Sequence, residues 1–177
     1  MRRAERIEHK RRYCVMYRVP LIACALACCS LAAPAAAPTF DPLAFFTGQS
    51  RGEGTLKILA RPRVPIRVET HGQADGKGGI ILDQTIHQGD KPARERRWVL
   101  RQTSPTTMSG TISDNPGPVR GRMDGGRLLL TYAMKGGLKV EQVLTMQPGG
   151  RSLLNRMTVR KLGITVAHVD EVITKVD

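Results

Sequence analysis

The chain offers few side-chain groupings that could do chemistry. The most suggestive is Val166-Ala167-His168-Val169-Asp170-Glu171, where an imidazole stands close to two carboxylates. A His/carboxylate pair can move protons. The ordinary reading competes: Asp170 and Glu171 on a final strand are solvated or salt-bridged to neighbouring arginines. Asp83 and His87 form a looser pair of the same kind, and His71 stands alone. There is no Gly-x-Ser-x-Gly elbow, His-Glu-x-x-His, P-loop or dinucleotide fingerprint. No catalytic residue, cofactor or metal is therefore assigned. All four cysteines, Cys14, Cys24, Cys28 and Cys29, lie near the N-terminus, so the body carries neither a disulfide framework nor a cysteine zinc site.

Two basic clusters stand out. Arg94, Arg96, Arg97 and Arg101 flank Trp98, the only tryptophan, and Arg151, Arg156, Arg160 and Lys161 lie near the last turn. A single-strand nucleic-acid surface interleaves cations with exposed aromatic platforms. Beyond the leader the aromatics are Phe40, Phe45, Phe46, Trp98 and Tyr132, most of them needed in a core, so nucleic acid is not an expected partner. Arginines that solubilise strand faces and blunt edges are the ordinary reading. An anionic membrane surface is the alternative partner.

A third grouping is polar residues on core parity. Gln84, Tyr132, Gln142 and His168 share the parity of apolar neighbours, and Trp98 joins them as a large amphipathic ring. Buried polar groups need partners, which either one another or a bound ligand can supply. Met108, Met123, Met134, Met146 and Met157 are flexible enough to line an adaptable apolar pocket, though methionine also fills gaps. Gln84, Trp98, Tyr132, Gln142 and His168 are the candidate ligand-binding residues.

The elements that must position these side chains read as strands. In Arg63–Thr70, Val64, Ile66 and Val68 alternate with Arg63, Arg67 and Glu69, which predicts an inward and an outward face. Further strands follow, separated by Gly76-Lys77-Gly78-Gly79, Gln88–Ala93, Asp114–Pro118, Asp124-Gly125-Gly126, Gly136-Gly137, Pro148-Gly149-Gly150 and Leu162-Gly163. About nine or ten strands joined by hairpin-length links predict an all-β, antiparallel up-and-down, lipocalin-like barrel. Asp41–Phe46 reads as a short helical turn or plug at its mouth.

The N-terminus reads as a secretory signal. Residues 19–33 are uncharged, follow a basic stretch ending at Arg18, and precede Pro34-Ala35-Ala36-Ala37-Pro38. Residues 1–35 are assigned to the signal, 36–49 to a lead-in and 50–177 to the barrel. Met16 is a competing start, and cleavage is expected after Ala35 or Ala32. Leu21-Ile22-Ala23-Cys24 and Ala25-Leu26-Ala27-Cys28 offer a lipoprotein alternative. Of the 28 Lys+Arg and 15 Asp+Glu, seven basic and two acidic residues lie in the signal, so the remainder still carries +8.

The order of several short motifs resembles the bacterial envelope family known only as domain of unknown function 3833. They are Phe45-Phe46-Thr47-Gly48, Arg96-Arg97-Trp98, Ser109-Gly110, Tyr132, Asn155-Arg156-Met157 and Lys161-Leu162-Gly163. The opening, with Gly52 and Gly54, is also similar to calycin barrels. The resemblance spans about residues 40–175, while the family's aromatic-acidic stretch is replaced here by Gln142–Met146. It implies a calycin-type barrel in the cell envelope, commonly a lipoprotein, and assigns no activity. The combined expectation is a periplasmic or secreted, non-enzymatic barrel that binds an apolar or amphipathic small molecule. The alternatives are a ligand-free interaction module at the envelope surface, or an enzyme acting on a lipid-like substrate.

Overall fold

The computed structural model describes residues 39–115 and 117–176. The signal, its competing start and its cleavage and lipidation sites lie outside them. Within them the chain forms one short helix, α1 (Pro42–Phe46), and ten strands. The strands are β1 (Gly48–Ile58), β2 (Arg63–Ala74), β3 (Gly79–Gln88), β4 (Arg94–Ser104) and β5 (Thr107–Ile112). They continue as β6 (Val119–Asp124), β7 (Arg127–Met134), β8 (Leu138–Met146), β9 (Ser152–Lys161) and β10 (Ile164–Lys175). Each pairs antiparallel with the next, and β1 pairs with β10 to close the barrel. Closure leaves no open edge among the ten described strands.

The period-2 expectation holds in β2. Ile66 and Val68 face the interior and Val64 is half-buried, whereas Arg63, Arg67 and Glu69 are exposed. The same alternation turns Arg94, Arg96, Trp98 and Leu100 of β4 inward, and Arg97 and Arg101 outward onto Asp83 and Asp75. One strand breaks its own count. The β9/β10 register shifts between Thr165 and Ala167, so Val166 and Ala167 both face inward and the parity beyond them is reversed.

The expected plug is α1. Asp41 caps it by accepting hydrogen bonds from the amides of Leu43 (3.0 Å) and Ala44 (3.1 Å), and Pro42 opens it where no donor is missed. Phe40, Phe45 and Phe46 stack edge-to-face and are buried, each contributing on the order of 2–3 kcal/mol of apolar burial. Lys175 Nζ donates to the carbonyls of Ala44, Phe45 and Thr47, tying the helix to the last strand. A Cβ at Gly72 would overlap the Phe46 carbonyl, so β2 needs glycine where the plug rests. All the strands, the plug and the core cluster lie between Phe40 and Lys175, so this unit holds its own core and closes its own sheet.

Candidate functional site

The plug closes one end of the barrel. Toward the opposite end the interior residues Ile58, Ile66, Met134, Leu138, Val166 and Ala167 are only half-buried, and between the two ends lies a cavity of about 360 Å³. That is within the range of about 300–1,000 Å³ usual for small-molecule sites. The lining is mostly apolar: β1 to β3 supply Leu56, Val68, Ile80 and Leu82, while β7 to β10 supply Leu130, Leu144, Val159 and Val169. Of the methionines, Met108, Met134 and Met157 line it, whereas Met146 is buried in the core away from it and Met123 is half-buried against that core.

Four of the five sequence-derived candidates meet in this cavity. Trp98 donates its indole Nε1–H to Gln84 Oε1 at 2.8 Å, and Gln84 Nε2 donates to Thr70 Oγ1 at 3.1 Å. Trp98 also meets Tyr132 edge-to-face at 5.5 Å. The Tyr132 hydroxyl donates to Gln142 Oε1 at 3.4 Å, beside Met157 Sδ at 3.6 Å. Burial, which disfavours the phenolate, pushes Tyr132 up to about 12.

His168 is a correction: it does not line the cavity. It is exposed on the outer face, 3.5 Å from Thr158 Oγ1. Counting by twos from the inward Val166 would bring His168 inside; the bulge adds a residue and turns it out. The Asp83/His87 pair does not form either. Asp83 accepts from Arg97 at 2.6 and 2.9 Å, and those bonds hold its carboxyl below the usual range. The histidine opposite Asp83 is His71, on β2.

The interior also holds two polar clusters, one around Arg96 and one around Glu171. Arg96 is nearly buried in the cavity wall, and its Nε and Nη2 reach Asp114 Oδ2 at 3.0 and 2.6 Å. Arg94, also lining the cavity, approaches the same oxygen at 3.4 Å. Desolvation and the neighbouring Arg96 lower the Arg94 pKa, and two guanidiniums sharing one carboxylate leave this wall positive. The reading of the arginines beside Trp98 as surface solubilisers thus holds for Arg97 and Arg101, and fails for Arg96.

The second cluster sits on β9 and β10. Asn155 and Glu171 are both buried, and Asn155 Nδ2 donates to Glu171 Oε2 at 2.6 Å. Glu171 Oε1 and Asn155 Oδ1 have no hydrogen-bond partner among the described residues. Desolvation raises the Glu171 pKa, and the Asn155 hydrogen bond opposes the rise only in part. Glu171 leans over Gly52 of β1, where a Cβ would overlap Oε1. The expectation that Glu171 is solvated therefore fails. Its place between Val169 and Ile173, on the parity of buried residues, was the available signal.

No sequence among the curated proteins matches this chain. Solved structures match in fold. The S-type phycobiliprotein lyase CPES from Guillardia theta superposes with a TM-score of 0.56 at 10% identity, covering 75% of this chain and 88% of that one. Rv2717c from M. tuberculosis superposes with a TM-score of 0.57 at 15% identity, covering 76% and 95%. Identities this low speak for a shared lipocalin-like barrel and leave activity open. The family described as Protein of unknown function (DUF3833) matches residues 20–175, a span that contains the stretch of about 40–175 over which the short motifs keep their order, and the chain belongs to that family.

Proposed function

We propose that this protein is an exported, non-enzymatic barrel that holds one apolar or amphipathic small molecule in its interior. The observation that carries the reading is the cavity of about 360 Å³, apolar on most of its wall and plugged at one end by α1. A barrel built only as a scaffold fills its interior with side chains; one that leaves an apolar volume this large forgoes packing contacts and binds what fits. Gln84, Trp98, Tyr132 and Gln142 are linked through the wall by hydrogen bonds and one edge-to-face contact, Arg94 and Arg96 add cations to meet an anionic head group, and Asn155 and Glu171 line the same cavity. This weighs against the ligand-free interaction module. Export rests on the charge order of the N-terminal residues, and on that reading the ligand is an envelope lipid or a lipid-like metabolite.

Trp98 is both the only tryptophan and a lining residue, so its emission reports occupancy directly. Titrating the purified protein with long-chain fatty acids, alcohols and lysophospholipids should change Trp98 emission saturably and raise the melting midpoint, because a ligand selective for the native state stabilises it. Native mass spectrometry of protein from an exporting host should show a bound apolar species. No emission change and no midpoint shift across that panel would refute ligand carriage.

A further inference from the structure

The described residues include a handful of large apolar side chains left in solvent, and the three most exposed gather in one place. Leu162 is 93% exposed, Ile164 64% and Leu59 62%. Leu162 is the tip of the β9–β10 turn, Ile164 begins β10, and Leu59 starts the β1–β2 turn. β1 and β10 are the strands that close the barrel, and the Leu59 amide donates to the Val166 carbonyl at 2.8 Å, which holds the two turns side by side. They stand at the end opposite α1, next to Ile58, Val166 and Ala167, where the cavity lining is half-exposed.

Turn chemistry does not account for Leu162. Its φ of 50° and the 84° of Gly163 make a two-residue turn of left-handed residues, which favours Asn or Gly at the first position. Leucine there is strained and packs against almost nothing. The same rim is basic. Lys57, Arg61 and Arg63 flank the first turn, Arg160 and Lys161 the second, and Lys135 and Lys139 the neighbouring β7–β8 turn. None of these takes part in the ion pairs formed among the described residues. Of the acids on the turns at this end, Asp114 is held by Arg94 and Arg96, leaving Asp90 beside Lys91.

We infer that this rim docks the barrel onto an anionic lipid surface, with Leu59, Leu162 and Ile164 entering the head-group layer and the surrounding lysines and arginines meeting lipid phosphates. Exposed apolar tips flanked by cations that take part in no described ion pair match such a surface in both of its properties: the apolar groups leave water, and the cations meet negative surface potential. A protein partner of the same shape would have to supply both an apolar pocket and many carboxylates. Docked this way, the open end of the cavity faces the bilayer, so a lipid-like molecule passes between the two without crossing water. The inference deepens the carrier reading by naming its partner surface, and it fails separately, because docking is read on vesicles and occupancy on Trp98.

The test uses the chain from Ala36, which contains the whole barrel and omits the apolar N-terminal stretch, with circular dichroism to verify the β fold. Co-sedimentation should show binding to phosphatidylglycerol vesicles that weakens with salt, and little binding to phosphatidylcholine vesicles. The pair Leu59→Ser with Leu162→Asn should reduce phosphatidylglycerol binding by about tenfold or more. The melting midpoint should hold or rise, since Asn suits the left-handed turn. Phosphatidylglycerol binding that is absent, or that survives the pair unchanged, would overturn the inference. So would sedimentation as a dimer that the pair dissociates, since the rim would then be covered by a second copy.

Discussion

Replacing Gly52 by alanine isolates the buried Glu171 cluster with a single methyl group. The backbone at Gly52 is not in the left-handed region, so alanine is sterically allowed by its own conformation and would ordinarily gain about 0.5–1 kcal/mol in a strand. What opposes it is Glu171. The new Cβ would overlap Oε1 and stand 2.6 Å from Cδ, where ordinary contact needs about 3.5 Å, so the carboxyl must retreat by about 1 Å or more. That retreat strains the 2.6 Å hydrogen bond from Asn155, worth about 1–3 kcal/mol when a buried donor is left behind, and overpacking adds about 1–3 kcal/mol. After the alanine gain, Gly52→Ala should cost on the order of 2–4 kcal/mol. In a Glu171→Ala background the obstruction is gone, and the same change should be neutral or slightly stabilising. Urea denaturation of the four proteins in this double-mutant cycle gives the coupling directly. A coupling below about 0.5 kcal/mol would show that Gly52 does not make room for Glu171.

Stability should also depend on pH through Glu171. Its raised pKa means that the native state keeps the proton where the unfolded chain releases it, so the stability is fully present below the ordinary value of 4.5. It is lost progressively as pH rises from there through the folded value. Glu171→Gln should flatten that decline in melts measured from acid to neutral pH; an unchanged slope would assign the decline to other groups. Lys175→Met removes the ammonium that binds the carbonyls around α1. It should cost about 1–2 kcal/mol in urea denaturation and make the plug-end amides exchange faster, while a melt identical to the parent would show that the plug stands without it.

How far the sequence reaches can be followed strand by strand. Val64, Ile66 and Val68 declare the inner face of β2 because side chains alternate along any strand, a property of the local backbone that needs no partner. Glycine and proline clusters mark the turns for an equally local reason, and so the meander, the plug at Asp41–Phe46 and the inward aspect of Gln84, Trp98, Tyr132 and Gln142 were legible. Alternation alone puts His168 on the inner face, where the structure does not have it. The bulge between Thr165 and Ala167 depends on how β10 registers against β9, and one added residue exchanges the faces for the rest of the strand. Glu171, on the opposite parity, takes the inner place and finds its hydrogen bond on a different strand. Arg96 reads as a surface cation beside Trp98 until the fold carries Asp114 to it from beyond β5. The rim is more distant still: Leu59 and Leu162 are over a hundred residues apart in the chain, and only closure of β1 on β10 sets their turns together. The chain's own pattern thus decides which residues can face inward, because that is a two-residue property. Which of them meet, and what is left exposed where the barrel closes, follows from pairing between distant segments, which no local pattern encodes.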